Sequence, residues 1–183
     1  LLTENKDLPI KAIFSVDEEN ICQGIYSLKN HSFLKDIAFC LVPEPNFTNG
    51  ENGVCLGRTG RLVIQVYLKG DNNHLILASQ SANAIREAFI FDNYIGELKF
   101  KINKNFGKTI IMPRKFQSEA SGLSVPGEAL IEYDLLTVPP TKIKKVLQQF
   151  NKLALKLYQV KKLKYLPKVI LKDRITPYLE PYE

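Results

Sequence analysis

The side chains that most often do covalent chemistry are sparse in this sequence. His31 and His74 stand 43 residues apart without convincing partners for a triad or a metal site. Ser124 lies in Leu-Ser-Val-Pro, which is not the sharp Gly-x-Ser-x-Gly turn that exposes a nucleophile. Cys22, Cys40 and Cys55 are odd in number and lack a Cys-x-x-Cys pair, so neither a disulfide framework nor a zinc site is indicated. The glycines of Gly53-Val-Cys-Leu-Gly57-Arg-Thr-Gly60 have no Gly-Lys-Ser/Thr ending and lead into a strand, where a phosphate loop needs a helix. Glu132 and Asp134, two apart, share one face of a strand. They read either as an acid–base pair or, more commonly, as a solvated strand face. The sequence therefore predicts no catalytic residue, no metal ligand and no cofactor.

Composition narrows the class. The 183 residues suit one domain with extensions, and 45% apolar with 24% charged residues describes a chain able to build a core. No apolar run approaches the ~20 residues of a membrane helix. The net charge of +6 is unevenly spread. Residues 141–172 hold ten lysines and no acid, whereas residues 1–140 hold 14 basic and 16 acidic residues. An anionic partner is thus expected at the C-terminal segment, through Lys142, Lys144, Lys145, Lys152, Lys156, Lys161 and Lys162. The sequons Asn30-His-Ser and Asn46-Phe-Thr are too common by chance to imply secretion, and no compartment is legible.

The elements follow from periodicity. A short strand is predicted from Leu8 to Val16 and a helix from Asp17 through Gln23. Phe33 to Val42 alternates as a strand, and 46–60 is a turn-rich loop. Arg61 to Lys69 is apolar on both faces and so belongs at the centre of a sheet. His74 to Ala78 is predicted to pair back on it as a hairpin. Phe89 to Phe91 reads as a short strand and Asp92 to Phe100 as a short helix capped by Asp92. Lys108 to Phe116 is another strand. The run 129–138 alternates Ala129, Ile131, Tyr133 and Leu135 against acids until Pro139-Pro140 removes the N–H groups that a ladder needs. The clearest helix is 141–163, capped by Thr141, with Ile143, Val146, Leu147, Phe150, Leu153, Ala154 and Leu157 forming one apolar stripe. Val169 to Leu171 adds a strand or docking arm, and the end around Pro177 and Pro181 is expected to be loose.

Taken in order, Val66-Tyr67, Gly70-Asp71, Leu77-Ala78-Ser79, the strand with its Pro113 loop, Val125-Pro126 and Ile131-Glu-Tyr-Asp-Leu-Leu136 resemble the FKBP-type peptidyl-prolyl isomerases (immunophilins). The resemblance covers residues 34–138. It implies an α+β fold, a twisted antiparallel sheet of five to six strands wrapping a short helix, joined to a C-terminal amphipathic helix. Residues 1–33 would be an extension packing on the domain, and 139–183 the basic helix and tail. By the same resemblance Tyr67, Phe116 and Val125 would line an apolar pocket for proline-containing or exposed protein segments. Such a pocket lowers the ~18–20 kcal/mol barrier to peptide rotation without charged groups. The chain has no Trp to floor that pocket and no Phe-Asp before Ser79. Folding assistance with weak or absent isomerase activity is therefore the expectation. The alternative is a non-enzymatic sheet-plus-helix module of the pleckstrin-homology kind, binding anionic lipid, nucleic acid or a protein through the lysine-rich helix.

Overall fold

The computed structural model describes residues 10–18, 23–43 and 57–176, with side chains as far as 172. The chain divides into two units, Leu1–Asn52 and Gly53–Glu183. The first unit holds a short helix α1 (Gln23–Leu28) and a 3-10 turn at Ser32–Leu34. Lys11 ties it together, its Nζ donating to the carbonyls of Phe33 and Lys35 and lying 5.4 Å from the Phe33 ring. The strand expected over Phe33 to Val42 is absent. Alternation alone does not make a strand, and here Phe39 and Leu41 lie exposed with no neighbour to pair with. Much of the expected N-terminal strand and helix, the loop at 46–56, Cys22, Cys55 and the segment from Pro177 lie outside the described residues.

The second unit is built in the order β1 (Gly60–Lys69), α2 (Ala84–Asn93), β2 (Ile110–Ser118), β3 (Glu128–Thr137), α3 (Ile143–Gln159) and β4 (Lys168–Thr176). The strands form one antiparallel sheet in the order β2-β3-β1-β4. This is the β-α-β-β-α-β, ferredoxin-like arrangement, with each helix connecting strands that are not neighbours. Period-two alternation fixes the register, since a one-residue slip would turn every core side chain to the other face. Leu62, Ile64, Val66 and Leu68 of β1 oppose Leu135, Tyr133, Ile131 and Ala129 of β3. These eight form one core with Ala84, Ala88 and Phe91 of α2 and with Val146, Phe150, Leu153, Ala154 and Leu157 of α3. Both helices therefore cover the same face of the sheet. At the centre the Tyr133 ring sits between Phe91 and Phe150, at centroid distances of 6.4 and 5.5 Å, and its hydroxyl donates to Asp92 Oδ1 at 2.9 Å.

Several expectations need correction. The sheet of the described residues has four strands, not five or six, and it does not wrap a single short helix. His74 to Ala78 does not pair back as a strand. Leu75–Gln80 is a 3-10 helix, started by the His74 side chain accepting from the Ile76 amide. Phe89 to Phe91 is not a strand, and Asp92 caps nothing. Asn83 caps a continuous helix, its Oδ1 accepting from the amides of Ile85 and Arg86. Ala84, Ala88 and Phe91 set that helix on the sheet at spacings of four and three, a stripe of mostly small residues that the bulky run Phe89-Ile90-Phe91 masks. The last helix follows its apolar stripe, but its N-cap is Lys142 and no side chain caps it. It ends where Lys161 turns to φ 57°, with the amides of Lys161 and Lys162 donating back to Tyr158 and Leu157.

Candidate association surface

β2 is an outer strand of the sheet, bonded on one side to β3 and bearing largely exposed side chains. Two features of its sequence shape that edge. Pro113 lacks an N–H, which an outer strand tolerates. A register shift between Pro113 and Lys115 leaves Arg114 unpaired in the ladder, and its guanidinium reaches Asp134 at 3.1 Å. Large apolar groups flank both sides of the edge. Ile110 and Met112 stand opposite Leu136 and Asp134 on the face away from the helices. Phe116 stands opposite core residue Ile131 on the helix side, and there it stacks on Phe89 of α2, centroids 5.8 Å apart and rings 7° from parallel. Phe89 is 59% exposed and Phe116 46% exposed, so the stacked pair is half in water.

The face away from the helices carries the two carboxylates noted in the sequence. Asp134 accepts from Arg61 through Nε at 3.0 Å and Nη2 at 2.6 Å, as well as from Arg114. Glu132 accepts from Lys172 Nζ at 2.8 Å and Gln65 Nε2 at 2.9 Å, and Tyr67 donates to Gln65 at 3.1 Å. Burial pushes the Asp134 carboxyl up, but the bonds and charges of Arg61 and Arg114 outweigh it and leave it below the usual range. Burial likewise raises Glu132, and Lys172, Gln65 and Lys115 overcome it to a net lowering. Both groups are thus held as anions, the wrong form for a general acid at neutral pH. They cross-link the four strands.

The three residues expected to line a pocket sit apart in type of environment. Tyr67 lies on the open face of β1 opposite Leu130, whereas Phe116 is on the helix side of β2. Val125 is fully buried in the loop before β3, its amide donating to the Asn73 carbonyl at 2.7 Å. Sequence reasoning missed a second polar cluster. Asp71 accepts from Lys164 Nζ, from the Tyr165 hydroxyl and from the Ala82 amide at 2.6 to 2.7 Å. The hydrogen bonds of Lys164 and Tyr165, then that of Ala82, hold its carboxyl down at about 2. Glu87 beside it accepts from the Lys164 amide at 3.0 Å, and burial raises its carboxyl. The sequence hides it because Asp71, in the β1–α2 loop, and Glu87, on α2, find their shared partner Lys164 more than seventy residues away. The cluster pins the β1–α2 loop to the α3–β4 loop.

Of the C-terminal lysines, Lys156 pairs with Glu97 at 2.6 Å, and Lys162 bonds the Tyr94 hydroxyl and lies over its ring. Among the described residues no group of three His, Cys, Asp or Glu could hold a metal, and no helix is long and apolar enough to cross a membrane.

No family model and no curated protein matches the chain. Solved structures do. They include a tripeptidase from Staphylococcus aureus (TM-score 0.50, 16% identity, 70% of this chain and 32% of that one). They also include a putative amidohydrolase/peptidase from Burkholderia cenocepacia (TM-score 0.51, 12% identity, 71% and 31%) and the di-peptidase Dug1p from Saccharomyces cerevisiae (TM-score 0.54, 10% identity, 69% and 38%). The chain spans about a third of the length of these enzymes. These neighbours overturn the immunophilin resemblance and, with it, the isomerase, rotamase and chaperone reading. The motifs behind it were β1 and β3, which do pair side by side but within a different topology. The pleckstrin-homology alternative is no better supported, since its sheet-then-helix order leaves no place for α2 between β1 and β2. At identities this low the likeness establishes the fold: this chain carries a ferredoxin-like domain of the shape found within peptidases and amidohydrolases.

Proposed function

We propose that the domain is a non-catalytic association module belonging to a hydrolase of the peptidase or amidohydrolase kind, and that it joins two copies of the chain along the outer edge of β2. The observation that carries this reading is the half-exposed stack of Phe89 on Phe116 beside that edge. Fold likeness to about a third of such enzymes supports it, as does the anionic, fully paired state of the carboxylates on the open face. An unpaired strand offers backbone N–H and C=O groups to another strand, and neighbouring apolar side chains add burial at roughly 25 cal/mol per Å². Each charge on β2 has a carboxylate beside it, Arg114 pairing with Asp134 and Lys115 standing opposite Glu132, which tempers repulsion of an incoming copy. Pro113 and the register shift break the edge into short stretches, which favours a closed pair over an open-ended stack.

Sedimentation velocity tests this. The chain is expected to shift from monomer to dimer as its concentration rises to about 100 µM, and the double variant Phe89→Ser/Met112→Asp to stay monomeric with its melting temperature within about 3 °C. A chain that is monomeric throughout, or a variant that dimerises as readily, overturns the proposal.

A further inference from the structure

A groove of about 600 Å³ lies at the start of α3, away from the β2 edge residues that the proposed association uses. One wall is the segment that follows the 3-10 turn at Ile95–Glu97 and contributes Lys99, Phe100 and Lys101; the other is the first two turns of α3 with the loop before it. Gln149 holds the walls together, its Nε2 donating to the Lys99 carbonyl at 3.2 Å. Five lysines line the groove, the third, fourth and fifth being Lys142, Lys144 and Lys145, and no acid does. None of the five is ion-paired among the described residues.

This arrangement runs against the helix. The first turn of α3 has no acidic residue and no side-chain cap, and three lysines crowd the positive end of the macrodipole. The amides of Ile143 and Lys144 find no acceptor among the described residues. Thr141 supplies an independent sign. It is only 7% exposed, it lines the groove, and its hydroxyl has no hydrogen-bond partner among the described residues. The hydroxyl opens on the groove, where it can donate to a bound acceptor.

We propose that this groove binds a small organic phosphate carrying at least two negative charges. The phosphate oxygens accept from the first-turn amides and the Thr141 hydroxyl, and the lysines surround them as mobile point charges. The organic portion lies against Phe100 and Pro140, the apolar part of the lining. The lysine-rich helix predicted to meet an anion does so at this end, and Lys152 and Lys161 take no part.

Titration calorimetry on the full chain at low salt tests this, with inorganic pyrophosphate and ADP as probes. Saturable one-to-one binding is expected. Lys142→Gln/Lys145→Gln should weaken it by about tenfold or more, while Lys152→Gln/Lys161→Gln, with the same change in net charge, should change it by less than about twofold. A second arm separates sources of the phosphate. Co-sedimentation with phosphatidylcholine vesicles containing phosphatidylinositol bisphosphate, lost in the groove variant alone, assigns a lipid headgroup; no co-sedimentation beside ADP binding assigns a free ligand. Absence of saturable binding to any probe, or equal weakening by the two double variants, overturns the proposal.

Discussion

Tyr133 shows how one polar atom is accommodated in an apolar core. Its ring is fully buried, and its hydroxyl is acceptable there only because Asp92 accepts from it at 2.9 Å; burial, then the Asp92 charge and bond, push the phenol far above its usual range. Tyr133→Phe should leave the ring packing intact and cost about 1–2 kcal/mol, read as a lower midpoint in urea. Thr109 is the opposite case. Its buried Oγ1 has no partner among the described residues, so Thr109→Val should be neutral or stabilise by about 1 kcal/mol in the same titration. Glu87 adds a dependence on pH. Burial raises its folded-state pKa, so the folded chain favours the protonated form, and ionisation costs stability as pH climbs through the ordinary value to the raised one. Glu87→Gln removes that cost while keeping an acceptor for the Lys164 amide. The variant should melt higher than the parent at neutral pH, and the gap should close at about pH 4. A gap that widens on acidification would show that ionised Glu87 stabilises the fold.

Among elements, the strands and the last helix were legible in the sequence and the middle of the unit was not. β1, β3 and α3 announce themselves because their periods of two and 3.6 are carried by large apolar residues. α2 does not, since two of its core positions are alanines and Phe89, as bulky as the buried Phe91, stays outside the core. The loop geometry was equally hidden. Gly70 donates to the Gly127 carbonyl at 2.7 Å, and a Cβ at Gly70 would sit 2.3 Å from the Pro126 carbonyl oxygen. Nothing local in the sequence marks that approach, because its partner lies in the loop before β3. Gly70→Ala should therefore cost well over the usual ~1 kcal/mol of a point mutation. Phe150→Ala should cost about 3–5 kcal/mol by emptying the space between α3 and Tyr133. The Asp71 cluster joins two loops and contributes in a known window: its carboxyl is held down at about 2, so that contribution is intact above the ordinary carboxylate range and is lost as pH falls toward that value.

For the whole molecule, the segments around Tyr67 and Pro126 do lie on adjacent strands, as the sequence motifs implied, yet adjacency of two strands is shared by many topologies. What separates an immunophilin from a ferredoxin-like sheet is where the connections run, and a crossover helix that meets the core through two alanines and Phe91 carries too weak a signature to show it. Tyr67 and Phe116 were singled out as pocket-lining aromatics; they occupy opposite faces of the sheet, and Phe116 gains its interest from the open outer edge of its own strand. Docking of a second copy along that strand makes a direct physical demand on its backbone. Amide hydrogen exchange across Ile110–Ser118, followed at rising concentration, should show protection that grows with concentration in the parent chain and stays flat in Phe89→Ser/Met112→Asp. Exchange at the same rate at every concentration in the parent chain would contradict the account.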